Sequence, residues 1–458
     1  MDKLFRLKEN KTTVRTEILA GLTTFITMAY ILIVNPITLT AGGGTGMDFN
    51  AVFVATAIGA GLVTILMGLF VNFPIALAPG MGLNAYFATV ILSSGGKITW
   101  QIGLAAVFIS GIIFIILTLT KIRQMMLVAI PKSLRAATTV GIGLFITIIG
   151  FKNSGLLSAF YIGKNAVKSL HPINGMDWLL QLGNFVHDKS VLLTLIGLLI
   201  TSVLMVMRAP ASILLGIVIT TIIGIPMGIT DVSSLAKAHW IPDFSHVAFG
   251  RLDLAGALNT GLLTIIFTFT FVELFDTFGT LTGTAAKAGL LDKPDGNEKI
   301  GRAMLVDAAG VSLGALLGTS TITAFVESAS GVSQGGRTGL TAVTSGVFFL
   351  LSLFIAPLAL LVPGVATSPA LIIVGVLMAG AVREIDWDDF VNAIPAFLTL
   401  IIMPFTYSIA NGISFGIIFY VVLALANNMV GGKHKIHWLM WFLAILVVVR
   451  FLFTDINV

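Results

Sequence analysis

Four acidic residues stand out of the 21 in this 458-residue chain: Glu273, Asp276, Asp307 and Glu327 fall well inside apolar stretches long enough to cross a bilayer. A carboxylate in hydrocarbon costs roughly 3 kcal/mol on insertion scales, so each needs a partner, water or a task that offsets it. Glu273 and Asp276, in TIIFTFTFVELFDTFGTLTGT (264–284), stand at i and i+3 on adjacent parts of one helical face. Glu327 sits where TSTITAFVESASGVSQGGRTGL (319–340) passes from a β-prone run into small polar residues. Cations to pair with these acids are scarce: Arg337 lies at a membrane edge, and all six histidines fall in loops or at span boundaries. A carboxyl in such a place can hold a proton, donating one hydrogen bond and accepting another. That pattern fits the edge of a planar heterocycle bearing N–H beside C=O or ring N. The same group releases its proton when the site opens to water.

Each acid also has a plainer reading, as a hydrogen-bond anchor between helices. Asp307, about two turns in from a basic cytoplasmic loop, is read as solvated or structural. For Glu273 both readings stand, because one member of an i, i+3 pair can simply orient the other. Asp276 and Glu327 are read as functional because broken backbone adjoins them. Asn84, in NFPIALAPGMGLNAYFATVI (72–91), is a further candidate, with a helix-capping role as its alternative.

The elements that must carry these residues follow from composition. Apolar residues make up 57% of the chain and charged residues 10%, and the mean hydropathy is +1.02. Soluble domains carry about 25% charged residues, so the chain is expected to be a polytopic, all-α membrane protein. The absence of cysteine excludes disulfides, thiolate metal sites and a cysteine nucleophile. The net charge of +5 sits in loops between spans, where it orients a membrane protein, and is not read as a nucleic-acid surface. The basic N-terminus, MDKLFRLKENKTTVRTEI, lacks the short apolar region and cleavage site of a signal peptide, so the next apolar run is read as a retained span.

Windows of about 19 residues predict spans at 18–38, 51–72, 74–93, 102–120, 134–151, 190–207 and 211–228 in the first half. The second half gives 258–284, 301–318, 320–336, 339–361, 368–383, 392–409 and 412–429. A further run, 437–453, is either another crossing or a helix lying against the bundle. Lys3, Arg6, Lys8, Lys11 and Arg15 put the N-terminus in the cytoplasm, and the even-numbered gaps are basic, as that topology requires. The long external gap 152–189, with four lysines, is the exception. Seven spans are an odd number, so a second group of seven starts on the opposite side and the two groups form inverted repeats. IPKSLRAATTVGIGLFITIIGF (130–151) and LVPGVATSPALIIVGVLMAGAV (361–382) share a Pro, a polar turn and a Gly-rich helix in the fifth segment of each group.

Two segments cannot be plain helices. The third of the first group holds Pro74, Pro79, Gly80 and Gly82; the third of the second group, the tenth overall, runs from a β-prone stretch (319–325) into Ser and Gly. Backbone that leaves the helix in a membrane survives only where protein or a cavity covers it. Interrupted segments at equivalent places in two halves mark a transporter's binding site. Each is expected to pair a short extended piece with a half-helix whose N-terminus points at the bilayer centre.

At these residues the sequence resembles the nucleobase/cation symporters (the uracil/xanthine permease fold), and within them the AzgA-like branch of hypoxanthine, guanine and adenine permeases. The resemblance rests on TTFITMAYILIVNP (23–36), FPIALAPGMGLNAYF (73–87), FVELFDTFGTLTG (271–283) and STITAFVESASGVSQGGRTGLTA (320–342), and runs nearly end to end. It implies about 14 transmembrane segments as two inverted seven-segment repeats, with short β-strands in segments 3 and 10. It also implies a core domain (18–120 and 258–361) and a gate domain (121–228 and 362–430). Around them lie a cytoplasmic segment (1–17), an external loop (229–257) and a C-terminal segment (431–458). It implies that Asp276 and Glu327 bind a purine base, that Asn84 completes the recognition, and that Phe325 stands where relatives place a ring near the base. Thr280 replaces a histidine of the uracil-type pattern, and SASG (328–331) replaces its Asn-x-x-Gly, which favours the purine branch. Glu273 has no counterpart in the uracil pattern. The expected activity is proton-coupled purine uptake across the cell membrane, with Asp276 and Glu327 carrying the proton, no cofactor or metal, and a homodimer formed through the gate.

Rival functions are set against this. An anion transporter of the sulfate/bicarbonate type shares the inverted plan, but two carboxylates repel an oxyanion unless protonated. An intramembrane hydrolase finds no support, since there is no HExxH motif, no cysteine and no mid-span histidine. Broken helices also allow a passive channel, which the resemblance does not favour.

Overall fold

The computed structural model describes residues 2–120, 129–161, 178–184, 186–233, 247–259, 265–270, 272–273, 277, 280–281, 284, 296–406 and 408–453. Asp276 lies outside the described residues. Among those described, nine helices are long and apolar enough to cross a membrane, and four apolar helices are shorter.

In the first half the helices are α1 (Val14–Met28), α2 (Ile31–Thr40), α3 (Phe49–Leu66), α4 (Met81–Ser93), α5 (Trp100–Leu119), α6 (Lys132–Asn153), α7 (Lys189–Val206) and α8 (Ser212–Gly224). The second half supplies α9 (Gly296–Leu317), α10 (Ser328–Ser333), α11 (Gly339–Leu351), α12 (Gly364–Ala379), α13 (Phe390–Phe405), α14 (Ile409–Met429) and α15 (Trp438–Phe453). Several start where a side chain takes a free amide: Asp48 accepts from Ala51 N–H at 2.8 Å, Thr99 caps α5, and Asp389 caps α13. The predicted first span is two helices, α1 and α2, separated by Ala29 and Tyr30, with Pro36 inside the second. Helix α15 has 16 residues and packs on α14. At about 1.5 Å per residue it reaches roughly 24 Å, less than a hydrocarbon core of about 30 Å.

The two broken segments meet. Strand β1 (Leu77–Pro79) pairs antiparallel with β4 (Ile322–Ala324) in the register Leu77↔Ala324, Ala78↔Thr323, Pro79↔Ile322. The strands hold equivalent places in the two halves, and an antiparallel pair is what a two-fold axis in the membrane plane produces. Gly80 N–H donates to Thr321 O at 3.0 Å and Phe325 N–H to Ala76 O at 3.1 Å. Pro79 therefore occupies a non-hydrogen-bonded position, where its missing N–H leaves no gap in the ladder. Gly318, with φ +95°, turns the chain from α9 toward β4, a conformation that only glycine adopts freely.

The outer edges of this small sheet are closed by side chains. Thr64 of α3 donates to Leu77 O at 2.9 Å and accepts from Leu77 N–H at 2.8 Å. Asp307 of α9 accepts from Ala324 N–H at 2.9 Å, from the Thr323 hydroxyl at 3.2 Å and from the Thr277 hydroxyl at 2.7 Å. Of the two roles the sequence left open for Asp307, solvated or structural, the buried carboxylate fills the structural one.

Helices α1, α3, α5, α9 and α11 pack against one another, and α6, α12, α13 and α14 form a second set with α7 and α8 at its flank. Helix α4 touches α6 across the boundary; a Cβ on Gly82 would overlap Ile142. A second antiparallel pair, β2 (Leu157–Tyr161) with β3 (Trp178–Leu182), stands in the long gap 152–189 between predicted spans.

Candidate functional site

A cavity of about 430 Å³ opens where the crossing strands face the second helix set. Its volume falls within the roughly 300–1,000 Å³ of small-molecule pockets. One wall is the corner Ala324–Glu327, and a second is the start of α4, Gly80 to Leu83. Thr139, Ile142 and Ile146 of α6 and Val374, Leu377 and Met378 of α12 complete the enclosure. The lining is mainly apolar, with a few polar groups that can orient a ligand.

Glu327 supplies the acid. It stands three residues beyond the end of β4 and immediately before α10, so the corner between extended and helical backbone presents it. Its Oε1 accepts the Tyr30 hydroxyl at 2.8 Å. Tyr30 is 1% exposed and occupies the break between α1 and α2. Phe325 is buried and lines the same cavity, as does Thr280 from the eighth segment. The cavity reaches Glu384, whose carboxylate stands 3.5 Å from Lys132 Nζ in an exposed ion pair at the cavity mouth.

Two candidates from the sequence stand elsewhere. Asn84 is fully buried outside the lining; it donates to Asn35 Oδ1, and Asn35 donates to Thr56 Oγ1 at 2.8 Å and Thr319 Oγ1 at 2.9 Å. Asn84 Oδ1 has no hydrogen-bond partner among the described residues. Glu273 is buried behind β4, where Thr277 Oγ1 lies 3.4 Å from its Oε1 and 2.7 Å from Asp307 Oδ2. The structure therefore brings Glu327, Phe325 and Thr280 to one cavity and places Glu273 and Asn84 in hydrogen-bond networks. Tyr30 went unnoticed in the sequence. Its one signal is a phenol in mid-span, which must find a partner when buried.

Antiparallel strand ends crossing inside a helical bundle, with an acid at the corner and a cavity between two helix sets, define a multi-pass membrane transporter. The chain belongs to the permease family: the model described as Permease family (Xan_ur_permease) matches residues 15–415. It is 43% identical over 428 residues to the adenine permease AdeP of Escherichia coli (strain K12), covering 93% of this chain and 91% of that protein. It is 42% identical over 461 residues to the guanine/hypoxanthine permease PbuG of Bacillus subtilis (strain 168), covering 99% and 100%. Among solved structures, the transmembrane domain of the bicarbonate transporter BicA from a cyanobacterium shares the fold, with a TM-score of 0.60 at 16% identity, covering 87% of this chain and 97% of that one.

Proposed function

We propose that this permease imports purine nucleobases across the cell membrane together with a proton, its N-terminus facing the cytoplasm. The observation that carries the reading is Glu327 at the corner of β4, bonded to Tyr30 and lining an apolar cavity of small-molecule size. The names of the relatives, adenine permease and guanine/hypoxanthine permease, point to the same substrates. A protonated Glu327 presents a donor and an acceptor side by side, matching the edge of a purine. Phe325 offers a ring face, and Asp276, on the eighth segment, is the second acid. Either acid would take the coupled proton as the cavity meets water. The helices around the crossed strands act as the core (18–120, 258–361) and the second set as the gate (121–228, 362–430). A rigid-body shift between them gives alternating access, and two copies associate through the gate. The purine permeases among its relatives speak against bicarbonate-type transport despite the shared fold.

The test is uptake of radiolabelled hypoxanthine and adenine into proteoliposomes under an imposed pH gradient, with and without a proton ionophore. Ionophore-sensitive accumulation is expected, with Glu327→Gln and Asp276→Asn each lowering it by about 100-fold, the range for a lost charge-assisted hydrogen bond. Folded wild-type protein that accumulates neither base under any gradient overturns the reading.

A further inference from the structure

Glu17 is fully buried, and its carboxylate joins segments that the sequence places far apart. Oε1 accepts the Arg337 N–H at 2.9 Å; Oε2 accepts the Thr338 N–H at 3.2 Å and the Thr341 hydroxyl at 2.6 Å. Beside it, Asn72 Oδ1 accepts the Gly339 N–H at 2.6 Å, and Thr338 Oγ1 accepts the Leu340 N–H at 3.3 Å. These are the amides at the start of α11, which have no partner within the helix. The carboxylate stands where the helix dipole favours negative charge. Arg337 turns its guanidinium the other way: Nη1 donates to Val332 O at 2.6 Å and Gly336 O at 2.7 Å, fastening the end of α10.

This turn closes the segment that Glu327 begins. Helix α10 has only six residues, so its position depends on what holds its ends. At one end Glu327 bonds Tyr30; at the other the 334–338 turn is tied to Glu17. Between them Gly331 packs on α1 so closely that a Cβ would overlap Thr24 and the Ala20 carbonyl. Glu17 and Tyr30 are 13 positions apart on the first segment, roughly 20 Å along a helix. One segment thus grips both ends of the broken one.

We propose that Glu17 is a positioning residue for the Glu327 site: by tying the 334–338 turn and the start of α11 to α1, it sets where Glu327 stands against Tyr30. The proposal rests on Glu327 being a substrate ligand. Three variants test it: Glu17→Gln, which puts a donor where two acceptors are needed, Glu17→Asp, which keeps the charge, and Thr341→Val, which removes one bond. Purine uptake kinetics in proteoliposomes are measured alongside backbone hydrogen exchange. Glu17→Gln is expected to raise KM about tenfold with kcat changed far less, Glu17→Asp to recover part of that loss, and Thr341→Val to raise KM about threefold. In Glu17→Gln, exchange is expected to quicken across 328–333, not only at the cap. A KM within about twofold of wild type, with faster exchange confined to 338–341, overturns the proposal and leaves Glu17 a helix cap. If Glu17→Gln does not fold, Thr341→Val decides by the same two readouts. If folded wild type takes up no purine, the functional reading falls, and the exchange pattern alone decides whether Glu17 holds α10.

Discussion

The two broken segments occupy equivalent places in the halves, yet they are built from different chemistry. In the first, β1 leads into the 13-residue α4, its outer edge is closed by the neutral hydroxyl of Thr64, and the polar Asn84 is drawn into a buried network. That segment gives the cavity backbone and apolar side chains, from Gly80 to Leu83. In the second, β4 leads into the six-residue α10, its edge is closed by the carboxylate of Asp307, and Glu327 faces the cavity. The fold is pseudo-symmetric, but the acids at the crossed strands, Asp307 and Glu327, both belong to the second half. Within that half, acids divide by their donors. Among the described residues, Asp307 accepts from Thr277, Thr323 and Ala324 and holds a strand in place. Glu327 takes the Tyr30 hydroxyl and stands at the edge of a space that a ligand can enter.

The contrast can be broken most sharply at Asp307. Asp307→Ala strands the Ala324 N–H and leaves the Thr277 and Thr323 hydroxyls, 3.0 Å apart, to pair with each other; it is expected to destabilise the protein by about 3 kcal/mol, read as a lowered unfolding midpoint in detergent. Glu327→Gln should shift that midpoint little while stopping transport; equal losses in the two variants would erase the distinction. Thr64→Val leaves both polar groups of Leu77 without their partner and should destabilise by about 2 kcal/mol, less than its counterpart in the other half because no charge is involved. Tyr30→Phe sharpens the reading of the cavity: one hydrogen bond is lost, so stability should fall by about 1 kcal/mol, with roughly a fivefold change in KM for the purine. Lys132→Ala, at the exposed ion pair with Glu384, is the smallest expected effect, within about 0.5 kcal/mol and with KM unchanged.

Much of this was legible in the residues themselves. Pro74, Pro79 and Gly80 forbid a plain helix, and the β-prone run from Thr319 to Phe325 marks a second break, so an extended piece in each segment was expected from the residues, while short strands in segments 3 and 10 were implied by the family resemblance. Glu327 was marked by its place at the change from extended to helical sequence. Other features left weaker traces. Tyr30 reaches an acid 297 positions away, and no local spacing encodes that contact. Glu17 reads as one more charge at the end of a basic tail, and only the packing of α11 shows it to be buried. Asn84 has the residue type of a ligand, but whether it faces a cavity or Asn35 depends on helix rotation, which the sequence pattern leaves open. The strands β2 and β3 lie in a polar gap where hydropathy windows carry no signal.

The crossed strands also bear on how the molecule is made. Ala76 N–H is satisfied by the Ser328 hydroxyl, 252 residues later in the chain, and Ala76 O by the N–H of Phe325. At about 5–20 residues per second, a ribosome takes roughly 10–50 s to supply those partners. During that interval Thr64 can cover Leu77, but its neighbours on the open edge wait for donors and acceptors that hydrocarbon cannot provide. The first seven segments therefore enter the membrane as an unfinished half, and what shelters that edge until the tenth segment arrives is part of the biogenesis of this transporter.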